Sequence, residues 1–221
     1  MNNFWIYIVI AVVCYIIGSV SPAVFLSKKF AGYDIREKGS KNAGSTNVFR
    51  VMGAKFGIIN FILDLLKGLL PTLLAKFIAI KLGMNVDLAM VCAAGAVVLG
   101  HAFPIFSHFK GGKCVASSAG ILLAFNPLFT TGLIVAAIIS IIITRYVSAA
   151  SITVFLLYPI AAWVFPMANG FTEYYSLEFR IFLTCLGVLI LFLHRENIVR
   201  LLKGNEKPLF QKKDKEKQEQ E

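Results

Sequence analysis

Charged residues are scarce in this sequence, and their scarcity excludes an ordinary soluble protein. Of its 221 residues, 15% are charged and 57% are hydrophobic, whereas soluble domains carry about 25% charged residues. The hydrophobic runs leave no room for a separate soluble domain. The composition therefore predicts an all-α integral membrane protein, with residues 1–204 in a single multispan domain.

Cysteine and histidine are also few. The four cysteines lie in or beside apolar runs and show neither metal-ligand nor redox spacing. The three histidines are His101, His108 and His194, and no aspartate follows closely after any of them. This excludes the histidine–aspartate general-base pair of one large class of membrane acyltransferases. No Ser-His-Asp order and no metal cluster is present either, so we expect neither a cofactor nor a metal.

Six hydrophobic runs are present, each close to or above the roughly 20 apolar residues that one membrane span requires. They are Phe4–Ser27, Phe56–Ile80, Leu88–Phe109, Cys114–Thr144, Tyr146–Thr172 and Leu177–Leu193. Acidic residues number 12 against 22 basic ones, and basic residues in short loops stay in the cytoplasm. The loop 28–55 carries seven of them, so we expect this loop inside and the N-terminus outside.

The run Cys114–Thr144 is too long for one span. At about 1.5 Å per residue a single helix would extend roughly 46 Å, against a hydrocarbon core of about 30 Å. Its middle holds Asn126-Pro127, a turn-forming pair. Two spans in this run also place Arg145 and the lysine-rich tail in the cytoplasm. We therefore predict about seven transmembrane helices with a cytoplasmic C-terminus, and a charged, mobile cytoplasmic tail over residues 205–221.

Three polar segments, the loops 28–55, 100–114 and 194–204, interrupt the hydrophobic runs on the predicted cytoplasmic face. The first contains glycines, hydroxyl groups, asparagines, lysines and an arginine within Gly39–Arg50. Glycine lets backbone N–H groups converge on a phosphate, and the cations supply charge. This segment predicts a site for an anion at the membrane surface.

The other two segments add cations and a histidine. Gly111 and Gly112 lie between two lysines, an arrangement suited to close approach of an anionic group. The third segment places His194 and Asn197 three residues apart, on one face if it is helical. Its basic residues, including Arg200, are expected to reach the membrane interface.

Simpler interpretations remain open for each of these features. Basic loops follow from membrane topology alone, and the glycine pair with its lysines could be a turn with lysines reaching the interface. His101 and His194, taken singly, are more often buried hydrogen-bonding groups than catalysts. Asp64 and Lys67 lie three apart on one face of the second span, where a structural ion pair and a catalytic role are both possible.

Together the three segments resemble the motifs of the bacterial membrane glycerol-3-phosphate acyltransferases that use an acyl-phosphate donor. The resemblance runs from about residue 14 to residue 207. The residues that carry it are Gly18-Ser19, Pro22, Asp34-Ile35-Arg36, Gly39-Ser40, Asn42, Gly44, Thr46-Asn47, Arg50 and Gly53; then Gly100-His101, Phe103-Pro104 and Lys110-Gly111-Gly112-Lys113; then His194-Arg195, Asn197-Ile198 and Arg200-Leu201.

The resemblance implies transfer of a fatty acyl group from acyl phosphate to the 1-hydroxyl of glycerol 3-phosphate, giving lysophosphatidic acid and inorganic phosphate. It implies a multi-pass protein of the bacterial cytoplasmic membrane, with its active site on the cytoplasmic face. The implied partners are the two substrates, membrane lipids and, by function, the enzyme that makes acyl phosphate. No cofactor, metal or nucleic acid is implied.

The motifs also imply the site residues. The implied catalytic residues are Ser40, Arg50, Lys113, His194 and Asn197. We place the following motif residues in the substrate-binding set: Asn42, Gly44, Thr46, Asn47, His101, Lys110, Gly111 and Gly112.

Two positions depart from the family pattern, because Lys41 and Cys114 stand where the family commonly has glycine. The alternative function is a transporter of a phosphorylated solute. Transporter sites usually lie near the membrane midplane, whereas these three segments lie on one side.

Overall fold

The computed structural model describes residues 4–164 and 176–209, and all regular structure in these two ranges is helical. The α-helices are α1 (Phe4–Ser19), α2 (Pro22–Ala31), α3 (Ser45–Met52), α4 (Ala54–Lys81), α5 (Val86–Ala102), α6 (Val115–Phe125), α7 (Pro127–Thr144), α8 (Val147–Val164), α9 (Leu177–Leu193) and α10 (Arg195–Leu202). Single 3₁₀ turns lie at Ile35–Glu37 and Ile105–Ser107. The all-α prediction is confirmed.

Five helical stretches in the described residues are long and apolar enough to cross a membrane, or six if the bent pair α9 and α10 forms one span. The five are Phe4–Ala31, α4, Val86–Ser107, α7 and α8. Helix α6 has 11 residues, about 16 Å at the usual rise, and is short for a full crossing. The count of seven and the orientation therefore stay predictions. The end of the predicted span Tyr146–Thr172, beyond Val164, lies outside the described residues.

The predicted break in the longest apolar run is present. Asn126 ends α6 and caps α7, since its side chain accepts a hydrogen bond of 3.0 Å from the Phe129 N–H. Pro127 occupies the first position of α7, where its missing N–H costs no hydrogen bond. The Asn-Pro pair thus divides the run as its chemistry predicts.

A second break was not predicted, and it divides the first apolar run. Ser21 and Pro22 begin a new helix by the same capping chemistry, so α1 ends at Ser19 and α2 continues to Ala31. The Val20 carbonyl at this break accepts a hydrogen bond of 2.8 Å from Lys67 Nζ on α4. The break therefore exposes a backbone acceptor that a buried cation uses.

Glycines let two helix pairs pack closely at the centre of the molecule. A Cβ atom at Gly18 or Gly100 would overlap the backbone of the partner helix in the α1–α5 pair, and Gly68 and Gly120 play the same part between α4 and α6. Small residues allow such approach between membrane helices. These contacts hold in place the ends of α4, α5 and α6 that adjoin the polar loops.

Candidate active site

The first loop is shaped by the buried side chain of Asn47. Its Oδ1 accepts a hydrogen bond of 2.8 Å from the Ser40 N–H. Its Nδ2 lies 3.0–3.1 Å from the carbonyl oxygens of Ile35, Lys38 and Asn42. Because the amide group is fully engaged with the backbone, Asn47 orders the loop, and its role as a substrate ligand stays a prediction.

Arg50 lies on α3, which follows this loop directly. Its guanidinium donates hydrogen bonds to the carbonyl oxygens of Lys207, at 2.5 Å, and Pro208, at 3.1 Å. Burial lowers the pKa of Arg50, yet an arginine keeps its charge. A partly desolvated cation attracts an anion more strongly than an exposed one.

The second loop is joined to the first by Arg36. Its Nη1 donates a hydrogen bond of 2.8 Å to the Ser107 carbonyl, while Nε and Nη2 lie 2.9 and 2.7 Å from the Asp34 carboxylate. Hydrogen bonding to Arg36 lowers the pKa of Asp34 to about 2. This pair therefore stays charged at neutral pH and fixes the two loops relative to each other.

Lys113 ends the second loop and reaches across to the third. Its Nζ donates a hydrogen bond to Asn197 Oδ1. Burial, with a further contribution from the nearby Arg200 charge, lowers the pKa of Lys113 to about 8. The ammonium group is thus mostly charged at neutral pH, but it loses its proton far more easily than an exposed lysine does.

Three predicted binding residues of the second loop, Lys110, Gly111 and Gly112, do not line the cavity that the three loops form. The Gly112 N–H donates a hydrogen bond of 3.1 Å to the His101 carbonyl, and a Cβ atom at Gly112 would lie 2.9 Å from the Ala43 carbonyl oxygen. Gly111 is packed just as closely against the end of α5. Glycines are therefore needed here for loop packing, and Lys110 is exposed outside the site.

His194 lies at the bend between α9 and α10. Its Nδ1 lies 2.8 Å from the Ile190 carbonyl oxygen. A carbonyl can only accept, so Nδ1 carries the hydrogen and Nε2 is a hydrogen-bond acceptor. Burial lowers the pKa of His194 to about 4. The imidazole is therefore neutral at neutral pH.

Glu206 is a cavity residue that could not be identified from the sequence. Its buried carboxylate accepts hydrogen bonds from Ser148 Oγ at 2.9 Å, Asn197 Nδ2 at 2.7 Å and Arg200 Nε at 2.9 Å. Arg200 is therefore paired here, and its reach to the membrane interface stays a prediction. The Leu209 N–H donates to the Arg145 carbonyl at 2.8 Å.

The first residues of the predicted tail thus belong to the site. Asn205 to Leu209 pack against α8, α10, Arg50 and Arg145, and the mobility of the tail from residue 205 stays a prediction. Residues 210–221 lie outside the described part of the chain. Nothing in the local sequence separates Glu206 from the acidic residues that follow it.

A cavity of about 640 Å³ brings the three loops together. All five predicted catalytic residues line it, and so do five of the predicted binding residues: Asn42, Gly44, Thr46, Asn47 and His101. Ser148 and Glu206 line it as well, and apolar side chains such as Phe61 and Leu193 complete the wall. The cavity therefore combines cations, neutral hydrogen-bonding groups and an apolar surface.

The chain is similar to known proteins over nearly its whole length. The family model for glycerol-3-phosphate acyltransferase matches residues 8–204. The chain is 40% identical over 208 residues to a glycerol-3-phosphate acyltransferase of Clostridioides difficile, over 94% of this chain and 98% of that protein. It is 36% identical over 231 residues to one of Acholeplasma laidlawii, over 96% and 97% of the two chains.

The fold also has a solved counterpart. A crystal structure of PlsY (YgiH), an integral membrane glycerol 3-phosphate acyltransferase in its glycerol 3-phosphate form, has a TM-score of 0.79 and 34% identity, over 91% of this chain and 94% of that one. The lysophosphatidic acid form of PlsY has a TM-score of 0.77 and 32% identity. Sequence and structure agree over nearly the whole chain, so this protein belongs to the glycerol-3-phosphate acyltransferase family.

Proposed function

We propose that this protein transfers a fatty acyl group from acyl phosphate to the 1-hydroxyl of glycerol 3-phosphate, releasing lysophosphatidic acid and inorganic phosphate. The reaction takes place on the cytoplasmic face of the bacterial cytoplasmic membrane, and an enzyme that makes acyl phosphate supplies the donor. The observation that carries the proposal is one cavity lined by two partly buried cations, Arg50 and Lys113, and by a neutral histidine.

The cations suit the charge of the substrates, since both substrates carry phosphate groups. The planar guanidinium of Arg50 pairs with two phosphate oxygens, and the ammonium of Lys113 acts as a point charge. Asn197 holds Lys113 from one side and is itself held by Glu206. Ser40 adds a hydroxyl donor at the cavity wall.

The enzyme has to orient the two substrates more than it has to activate the donor, because an acyl phosphate is already a reactive mixed anhydride. The hydroxyl oxygen of glycerol 3-phosphate attacks the acyl carbonyl carbon and forms the ester bond. The bond from that carbon to the phosphate oxygen breaks, and the hydroxyl proton passes to a phosphate oxygen. His194 Nε2 accepts a hydrogen bond from the other hydroxyl of glycerol 3-phosphate and so orients this substrate, while the cations stabilise the departing phosphate.

The apolar part of the cavity suits the rest of the donor. Phe61 from α4, Val115 and Ala116 from α6, and Leu193 from α9 line the cavity beside the polar loops. A fatty acyl chain placed against these side chains stays out of water, while its phosphate end reaches the loops. The cavity thus accommodates a substrate with one charged end and one hydrocarbon end.

Purified protein in detergent, incubated with labelled glycerol 3-phosphate and hexadecanoyl phosphate, tests the proposal. We expect labelled lysophosphatidic acid and an equal amount of inorganic phosphate. Hexadecanoyl-CoA and the acyl carrier protein thioester serve as alternative donors, and we expect no product from either. Product from a thioester alone would contradict the proposed donor. In a parallel sample reconstituted into lipid vesicles, uptake of labelled glycerol 3-phosphate without product would indicate a transporter.

Substitution of the cations tests the assigned site in the same assay. We expect Arg50→Ala and Lys113→Ala to lower kcat/KM by about 100-fold or more, since each removes a charge from the phosphate site. Lys55→Ala, an exposed cation five residues from Arg50 and outside the cavity, is the matched control and should keep the wild-type value. Full activity in either cavity variant would reject the site.

A further inference from the structure

A group of buried polar side chains lies at the wall of the cavity, between α4 and α5, and two of its members, Asp64 and His101, line the cavity. Asp64 on α4 is at its centre and is 1% exposed. One carboxylate oxygen, Oδ1, lies 2.9 Å from Lys67 Nζ and 3.4 Å from His101 Nδ1. The other, Oδ2, accepts a hydrogen bond of 2.9 Å from Asn60 Nδ2. A charge this deeply buried is costly unless it has partners.

The first series of contacts from Asp64 leads to α3, the helix that carries Arg50. Asn60 Nδ2 also donates a hydrogen bond of 2.8 Å to Ser45 Oγ. Ser45 is the first residue of α3, and Arg50 lies on the same eight-residue helix. The Asp64 carboxylate therefore holds Asn60, and Asn60 holds the start of the helix that presents Arg50.

The second series of contacts from Asp64 leads to the loop that carries Lys113. The His101 ring contacts Asp64, and the His101 carbonyl accepts a hydrogen bond of 3.1 Å from the Gly112 N–H. Gly112 directly precedes Lys113. The His101 ring itself also packs against Gly112, where a Cβ atom would overlap His101 Nε2, so the ring joins Asp64 to this loop.

We propose that Asp64 is a positioning residue for acyl transfer, which through Asn60 and His101 sets the positions of Arg50 and Lys113 relative to each other. This inference rests on the proposed function of the cavity and adds a residue to its machinery. The simpler alternative is that Asp64 and Lys67 form only a structural ion pair. That alternative gives Asp64 no role beyond neutralising Lys67.

The double substitution Asp64→Asn with Lys67→Met separates the two roles. It removes the ion pair without leaving a lone charge among the helices. We expect a folded protein with wild-type elution from a gel-filtration column in detergent. We expect its kcat to fall by about 100-fold and its KM for glycerol 3-phosphate to rise, because small misplacements of binding groups are enough for such losses.

The matched control is Asp87→Asn with Lys76→Met, which also neutralises one acid and one base and lies outside the buried group. It should keep wild-type kcat and KM. A purely structural ion pair predicts wild-type constants per folded molecule for the Asp64 and Lys67 double variant, so that result would overturn the inference.

A third variant keeps the test decisive if the double variant does not fold. Asn60→Ala leaves the ion pair in place and cuts the link to Ser45, so we expect its KM for glycerol 3-phosphate to rise. Unchanged constants in Asn60→Ala would also overturn the inference. If the wild-type protein forms no lysophosphatidic acid from acyl phosphate, the proposed function fails; if it does and the variants match it, only the role of Asp64 fails.

Discussion

Lys113 is a lysine whose titration falls close to physiological pH. Its pKa is lowered to about 8, and its charged form is needed to hold phosphate in the proposed reaction. Below pH 8 the ammonium form dominates, and above it the charge is lost. We therefore expect kcat/KM to be constant below pH 8 and to fall about tenfold per pH unit above it. The pH profile of lysophosphatidic acid formation measures this.

Lys113→Arg provides the control for that profile, because a guanidinium keeps its charge throughout the accessible range. Its absolute rate should be lower, since arginine differs in shape and in hydrogen-bonding geometry. The decline above pH 8 should nevertheless disappear. A decline that persists unchanged in Lys113→Arg would assign it to another group.

Lys41 is a second residue with a measurable consequence. Its φ is 58°, in the left-handed region that glycine adopts without strain, and its side chain is exposed. We expect Lys41→Gly to raise the free energy of unfolding by about 0.5–1 kcal/mol, the relieved strain exceeding the added entropy of the unfolded chain. Thermal unfolding in detergent measures the change. Lys38→Gly, where φ is −118°, should instead lower stability.

Single residues also show where prediction from the sequence ends. Arg50, Lys113 and His194 could be predicted as cavity residues because both their residue types and their motif matches indicate a phosphate site. The glycines at 111 and 112 were assigned to a ligand because sequence cannot tell close approach to a phosphate from close approach to a helix end. Glu206 was missed, since only the fold brings it to Asn197.

At the scale of the elements, the segment after α10 yields the next prediction. A chain that ends after Leu209 keeps Glu206 and the carbonyl groups that Arg50 contacts, whereas a chain that ends after Gly204 loses both. We expect the first truncation to keep activity near the wild-type level. The second should lower kcat/KM by about tenfold or more, because Asn197 and Arg200 lose their shared buried partner.

Both truncated proteins can be compared by lysophosphatidic acid formation per folded molecule. Equal activity in the two chains would show that Asn205 to Leu209 add nothing to the site. Equal loss in both would place the essential residues beyond Leu209.

Helix boundaries could be predicted where the chain itself supplies the cap. Asn126-Pro127 ends one helix and begins the next by local chemistry. The length of the run Cys114–Thr144, which is too long for one span, also predicts a break there. Ser21-Pro22 carries a similar signal, but it lies in a run short enough for one span, so nothing required a division there. Helix α6 is short because it begins only at Val115, after the second loop, and ends at the Asn-Pro pair.

At the scale of the whole molecule, the ends of several helices line one cavity and therefore lie on the same side of the membrane. Val115 at the start of α6 and Val147 at the start of α8 both line the cavity. The chain between them therefore leaves the cavity side and returns to it, whether α6 crosses the membrane fully or turns back within it. Leu193 at the end of α9 lines the cavity as well. The C-terminal end of α9 thus lies on the cavity side, whether α6 crosses the membrane or turns back within it.

The loops and the C-terminal segment therefore share one side, and the predicted orientation makes that side cytoplasmic. A pair of matched substitutions tests this orientation. Lys81→Cys lies at the end of α4, and Lys203→Cys follows α10; both lysines are exposed. In a background with the four native cysteines replaced by alanine, a membrane-impermeant maleimide added to intact cells should label position 81 and not position 203. After the membrane is permeabilised, both should react. Labelling of position 203 in intact cells would place the cavity on the outer face, away from any cytoplasmic source of acyl phosphate, and would contradict the orientation.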